Sequence, residues 1–380
     1  MSYGCFSSGR GAVAPMRRRD AIAALAAFAC VGTAHGATSK KSGPYVDGMS
    51  FLPDNPADLR ASGLDAFICD VSKGKMDTDA AGNSFYHRTF ELCDESIAAA
   101  SARIRSDFPG LGIALKGKDL AAGRPVAIFQ FQGCEPIGTD LSRIAYFRDK
   151  SLRILQLTHN ESNAFATAYT DERSGVGLSP LGIEGLREMN RVGLIPDVSH
   201  ASEATALETV KLSKTPTILS HGACRALLNH PRAATDRMIR AVAESGGVFG
   251  VFMMSFWLTD APVPTPDHYV AHIRHAVKLA GIDAVGIAND YAMEGLQAEG
   301  RPFDNSRDMP GSYHGWWESN RKRGIPGFGP LPQHAVIPEF NTIDRMALIH
   351  RALLRGGFKS SEADKIMGGN WTRFFKENLR

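Results

Sequence analysis

Eight short apolar, β-branched runs recur along this chain: YVDGMSF (45–51), AFICDVS (66–72), PVAIFQFQ (125–132), ILQLTH (154–159), LIPDVSH (194–200), TPTILSH (215–221), GVFGVFMM (247–254) and AVGIAND (284–290). Amphipathic segments lie between them at 86–106, 139–150, 181–192, 202–213, 233–245 and 266–280, and two more, 342–356 and 361–378, close the chain. Strands that alternate with helices build parallel β-α units. Near-continuous apolar runs mark strands buried on both faces. Eight such units predict an α/β fold of the (β/α)8 TIM-barrel type. The competing arrangement, an open doubly wound sheet, calls for a Gly-rich turn after an early strand and gathers its polar residues at one switch point. This chain lacks that turn, and polar residues end many of its runs.

The segment before the first run reads as a leader. MRRRDAIAALAAFACVGTAHGA (16–37) has a basic start at Arg17, Arg18 and Arg19, an apolar stretch from Ala21 to Gly32, and small residues at Ala34 and Gly36 ahead of Ala37. That is a secretory signal pattern. Arg18 and Arg19 before DAIAAL resemble a twin-arginine address, which a receptor reads and which does not anchor. The apolar stretch is shorter than the roughly 20 residues a bilayer span takes, so no membrane span is expected. Residues 1–36 are expected to be removed on export to the periplasm or the exterior, with translation starting at Met1 or Met16. Residues 37–380 are expected to form a single barrel domain. Removing Arg10, Arg17, Arg18, Arg19 and Asp20 takes the formal charge from +3 to zero. The basic pI therefore belongs largely to the leader and gives no argument for a nucleic-acid partner. Four cysteines remain, Cys69, Cys93, Cys134 and Cys224, with no CxxC pair. A zinc knuckle is disfavoured; disulfides and free thiols both stay open.

Residues 291–341 break the pattern. They are rich in Gly and Pro and carry Tyr313, Trp316 and Trp317. A loop of that length is functional or disordered. Following the eighth strand, it is expected to lie over the barrel mouth as a lid, a substrate wall or an oligomer contact.

Barrel active sites form at the carboxyl ends of the strands. Gln132, His159, His200, His221 and Asp290 end the third, fourth, fifth, sixth and eighth runs. Any one of them alone reads as a hydrogen-bonded structural residue. Together they bring imidazoles and a carboxylate into one mouth. Imidazole is the commonest metal-binding side chain, and two His with one Asp make an open zinc site. Water bound at such a site ionises near neutral pH and can attack a carbonyl.

Several stretches resemble the membrane dipeptidases, also called renal dipeptidases. They are QGCEPIGTDLSRI (132–144), LTHNESNAFA (157–166), GLSPLGIEGLREMNRVGLIPDVSHAS (177–202), TPTILSHGACRALLNHPR (215–232), AVGIANDY (284–291) and IMGGNWTRFFKENL (366–379). The resemblance implies a (β/α)8 metal-dependent hydrolase that cleaves dipeptides at a two-metal centre, and a homodimer. It places His200 and His221 on the second metal and His159 on the tetrahedral oxyanion. Asp290 would take a proton from the nucleophilic water and pass it to the leaving amine. Arg232 would grip the substrate's terminal carboxylate, a task suited to its bidentate fork. Without the resemblance, Arg232 reads as a loop salt bridge.

The first strand departs from the family pattern. The family carries D-G-H-x-D there, whose His and Asp bind the first metal; this chain reads Asp47-Gly48-Met49-Ser50-Phe51. The family's bridging glutamate on the third strand is Gln132. Phe51 has no donor atom, and a thioether suits soft Cu(I) better than zinc. The first metal site is thus expected to be lost, with Met49 and Phe51 filling its volume. What remains is a centre for one divalent metal, Zn2+, on His200, His221 and Asp290, with Gln132 nearby. Cys134 offers a thiol in the same region, and Glu135 and Asp140 have no assigned place. Three functions stay open: a one-metal hydrolase acting on a dipeptide or related small amide, an inactive pseudoenzyme that binds a small ligand, and a lyase or isomerase on the same scaffold.

Overall fold

The apolar runs form parallel strands. In the computed structural model, which describes residues 41–380 apart from 79–83, 122 and 296–310, Gly43–Arg380 is one compact unit. The expected leader lies outside the described residues. The strands are β1 (Val46–Ser50), β2 (Ala66–Asp70), a hairpin of β3 (Lys75–Thr78) and β4 (Ser84–His87), a two-residue β5 (Gly112–Ile113), β6 (Val126–Gln132), β7 (Leu152–Gln156), β8 (Ile195–Asp197), β9 (Leu219–Gly222), β10 (Phe249–Val251) and β11 (Val285–Ile287). Parallel pairing runs β1-β2-β6-β7-β8 and β9-β10-β11. Two seams close the ring. Ile218 N–H donates to Pro196 O at 3.0 Å beside β9, and Asp290 N–H donates to Met49 O at 2.9 Å beyond β11. The eight expected strands are all present, and they make the expected barrel.

The helices are α1 (Pro56–Ser62), α2 (Phe90–Asp107), α3 (Ser142–Asp149), α4 (Pro180–Val192), α5 (Glu203–Leu212), α6 (Asp236–Glu244), α7 (Pro266–Ala280), α8 (Gly311–Lys322), α9 (Arg345–Arg355), α10 (Ser360–Asp364) and α11 (Asn370–Asn378). Four begin at a hydroxyl cap: Thr89, Ser179, Ser202 and Thr235 accept the backbone N–H of the third residue on. Each cap satisfies a donor the helix leaves free. The sequence missed α1, whose seven residues are too few to show a helical period.

Alternation along the strands builds the site. On β6, Ala127, Phe129 and Phe131 pack outward in the main core, while Val126 and Ile128 join the barrel floor. Gln130 and Gln132 continue the inner face upward, since side chains repeat every second residue. The floor also holds Val46, Ala66, Ile68, Ile154, Ile195, Ile218 and Val248. From below, α11 plugs it with Trp371, whose Nε1–H donates to Ile287 O at 3.0 Å. Glycine at 48 and 286 makes room for that indole: a Cβ would meet Trp371 at 2.7 Å and 2.3 Å respectively. An apolar floor and a polar upper storey leave the mouth as the place for chemistry.

The segment 291–341 corrects the expectation of a plain loop. It contains α8, whose sequence GSYHGWWESNRK has weak apolar periodicity. Beyond β10, Ser255 N–H donates to Ala335 O at 3.0 Å and Ile337 N–H to Met253 O at 3.3 Å. Trp317 meets Phe256 and Phe328, with ring centroids 4.7 and 4.8 Å apart. Arg323 pairs with Glu161, two residues after His159 on the loop beyond β7. The described part of the segment thus packs on the rim at the carboxyl ends of the strands.

Candidate active site

The upper storey is a buried polar network. Asp197 at the end of β8 accepts Gln130 Nε2–H at 2.5 Å and Ser220 Oγ–H at 2.5 Å on one oxygen. Its other oxygen accepts the backbone N–H of Ser199 at 2.9 Å and Ser220 at 3.0 Å. These bonds fix the turn that carries His200. His200 (φ +61°) and Asp290 (φ +54°) both sit in the left-handed region. Such backbone costs non-glycine residues about 1–3 kcal/mol each and persists where surrounding bonds impose it. Tyr169 N–H holds His200 O at 2.8 Å, and Met49 O holds Asp290 N–H. Asp47 braces the same turn, accepting Asn289 N–H at 2.8 Å and Asn289 Nδ2–H at 2.6 Å.

His200 and His221 face each other with Nε2 atoms 3.0 Å apart. Their outer nitrogens are committed. His200 Nδ1 lies 3.0 Å from Asn160 Oδ1, which also accepts the Tyr169 hydroxyl at 3.2 Å. His221 Nδ1 lies 2.8 Å from Ser220 Oγ, whose own proton goes to Asp197. Both Nδ1 atoms therefore carry the proton, and both Nε2 lone pairs point at the same place. Burial, with the Arg232 charge adding to it, holds both imidazoles neutral, well below the usual histidine range. Two bare lone pairs at this distance repel unless a cation lies between them. Two nitrogens each about 2.0–2.1 Å from one tetrahedral zinc are about 3.3 Å apart, so the pair fits a shared ion closely. Asp290 Oδ2 is 4.0 Å from His221 Nε2 and is the nearby carboxylate. Among the described residues, no group of three or more His, Cys, Asp or Glu side chains is placed to hold a metal ion; the two histidines converge, and Asp290 stands back from them at 4.0 Å.

His159 stacks on His200, with centroids 4.4 Å apart and planes 26° apart. Burial, then the Arg88 and Arg232 charges, keep it neutral. Asp290 is pushed up to about 7 by burial, against the pull of Arg232. Arg232 is not the loop salt bridge that its sequence suggests in isolation. It is 3% exposed, its guanidinium lies over Phe252 (5.3 Å) and Trp257 (5.4 Å), and Nη2–H donates to His221 O at 3.3 Å. Its Nε–H is buried and has no acceptor among the described residues. An unpaired buried donor of this kind is costly and suits an incoming carboxylate.

The corner of the altered motif is partly as expected. Met49 is fully buried and belongs to neither apolar cluster. Phe51, however, is 37% exposed and so does not fill a buried void. Gln132 is turned aside: its Nε2–H donates to Asp70 Oδ2 at 2.9 Å. Cys134 is deep in the core, its thiol donating to Gln156 O at 3.5 Å and held protonated by burial. Asp140 caps α3 through Ser142 and takes no part. All four described cysteines are free and buried. Sequence reasoning missed Asn160, Ser220 and Asp197, which set the histidine tautomers, and Asp70 with Arg88 beside Gln132. Asn160 and Ser220 are chain neighbours of His159 and His221, and that adjacency was their only signal.

A profile of the membrane dipeptidase family (Peptidase family M19) matches residues 73–310, beginning after the altered first strand. The chain belongs to that family. It is 33% identical over 184 residues to Dipeptidase verJ of Clonostachys rogersoniana, covering 47% of this chain and 46% of the relative. It is 25% identical over 315 residues to Dipeptidase tcpJ of Claviceps purpurea (strain 20.1), covering 80% and 63%. The matched stretches thus span less than two thirds of these curated relatives. A solved amidohydrolase from Pseudomonas aeruginosa superposes with a TM-score of 0.70 at 24% identity, over 89% of this chain and 96% of that one. That likeness shows the barrel fold. No described helix is long and apolar enough to cross a membrane.

Proposed function

We propose that this protein hydrolyses a dipeptide or related small amide at a centre for one divalent ion, best matched by zinc, on His200, His221 and Asp290. The observation that carries this reading is the pair of bare Nε2 atoms 3.0 Å apart, beside a carboxylate and an unsatisfied guanidinium. When bound, the ion supplies a water of lowered pKa and polarises the carbonyl. Asp290 takes the proton of the attacking water and hands it to the leaving amine. His159 donates an N–H to the developing oxyanion. Arg232 pairs with the terminal carboxylate through the fork that Phe252 and Trp257 hold in place. The test is metal content of the purified protein by elemental mass spectrometry, with a product assay against dipeptides and small amides. One equivalent of metal, absent from His200→Ala/His221→Ala, and turnover are expected; a metal-free protein without products would refute the reading.

A binding role without turnover is favoured by one observation, the loss of both first-strand ligands and the bridging carboxylate. The two readings separate on Asp290→Asn, which abolishes product formation in an enzyme and spares ligand binding in a pseudoenzyme. Export through the leader and a homodimer belong to the same proposal. Cell fractionation and light scattering test them.

A further inference from the structure

Three strand ends meet where the first-strand ligands are missing: Met49 on β1, Asp70 on β2 and Gln132 on β6. These strands are neighbours in the barrel. Gln132 is 5% exposed. A carboxylate only accepts, so the bond to Asp70 fixes the Gln132 amide with its NH2 toward Asp70 and its Oε1 away. Among the described residues, no group donates to that Oε1. Asp70 Oδ1 accepts Ser72 N–H at 2.8 Å and Ser72 Oγ–H at 2.6 Å, and Arg88 Nε–H reaches Ser72 Oγ at 3.3 Å. Glu135 also lies near Arg88. The order β1-β2-β6-β7-β8-β9-β10-β11 puts Asp70 four strands round the ring from β9, the strand that leads into the Arg232 loop. Asp70 and Gln132 thus lie on the side of the ring opposite the strand that leads to Arg232.

We propose that this corner binds an ammonium group: the protonated α-amine of the substrate donates to Asp70 Oδ2 and Gln132 Oε1, and a positive charge carried by the substrate stands where the resemblance implies a first metal. The inference rests on the proposed dipeptide hydrolysis and narrows its substrates to peptides with a free amino terminus. A zinc ion suits this corner poorly, since Asp70 and a neutral amide oxygen bring no imidazole or thiolate to it. An ammonium has three donors to place. Phe51, half open at the rim, is free to border the first side chain.

The experiment compares L-Ala-L-Ala with N-acetyl-L-Ala-L-Ala on the zinc-loaded full chain. A charged hydrogen bond of this kind corresponds to about 10- to 100-fold in affinity. The free-amine peptide is expected to show a KM at least tenfold lower, and Asp70→Asn is expected to bring the two KM values within threefold of each other. Gln132→Met narrows the gap in the same sense and serves if Asp70→Asn does not fold. Equal KM values in the unaltered chain overturn the ammonium site while leaving hydrolysis intact, and so does a gap that survives both substitutions. A second equivalent of zinc that Asp70→Asn removes overturns it in favour of a metal. If neither peptide is cleaved, hydrolysis fails, and calorimetric dissociation constants for the same two peptides decide the site. A tenfold preference for the free amine, lost in Asp70→Asn, upholds it; equal binding, or none, overturns it.

Discussion

The tautomer argument for the paired histidines makes a sharp prediction at Asn160, which never touches the ion. Asn160 Oδ1 is the acceptor that keeps the proton of His200 on Nδ1, at 3.0 Å, and so keeps Nε2 bare. Asn160→Leu removes that acceptor and leaves the first imidazole free to exchange tautomers and to turn. Partners that orient a ligating histidine are worth about 10- to 100-fold in metal affinity, or about 1.4–2.7 kcal/mol. The zinc dissociation constant, measured by competition with a chromophoric chelator, is expected to rise by that factor while the stoichiometry stays at one equivalent. His200→Ala/His221→Ala is expected to lose the equivalent altogether. The Tyr169 hydroxyl shares Asn160 Oδ1, so Tyr169→Phe serves as the control and should change affinity less than threefold. An unchanged dissociation constant in Asn160→Leu would refute the tautomer argument. Retention of one tight zinc in the double histidine variant would refute the site itself.

Asp290→Asn keeps the shape of the proton shuttle and removes its basicity; turnover is expected to fall about 100- to 10,000-fold with KM little changed, and a drop below tenfold in kcat would dismiss the assigned role. Arg232→Met is expected to raise KM for dipeptides about 10- to 100-fold and to leave C-terminal amides unaffected; equal effects on both would mean that the guanidinium does not hold the carboxylate. The triple change Met49→His, Phe51→Asp and Gln132→Glu is expected to raise metal content from one equivalent to two by elemental analysis; one equivalent would show that the corner has been rebuilt beyond its ligands. Gly48→Ala drives a Cβ to 2.7 Å from Trp371 and 2.9 Å from two backbone oxygens. Overpacking of this sort costs about 1–3 kcal/mol, so a denaturant midpoint equal to that of the parent chain would contradict the account of the plug.

The strands were legible because each is an apolar run longer than its neighbours' turns, and burial on both faces leaves no other use for such a run. The long helices were legible from their amphipathic period. The helix at 311–322 was not, because GSYHGWWESNRK has no apolar stripe; its described aromatic Trp317 is buried by a separate rim segment, and that contact is invisible in the order of residues. Arg232 shows the same limit. As a string, NHPRAATD is an ordinary loop, and only folding sets its arginine against two aromatic rings with an Nε that has no acceptor among the described residues. Phe51 shows it in reverse: a phenyl ring reads as filler, yet it is partly exposed.

The sequence by itself determined the barrel, the strand ends that bear polar groups and the absence of donor atoms at Met49 and Phe51, since alternation and side-chain chemistry are local properties. Only the tertiary structure decided that both histidine Nε2 atoms are bare and aimed at one place, and that Gln132 turns its amide toward Asp70. Those facts depend on hydrogen bonds between strands far apart in the chain, Asp197 to Ser220 and Gln132 to Asp70 among them. Hydrogen bonds fix tautomer and orientation, and no residue carries that information until its partners arrive.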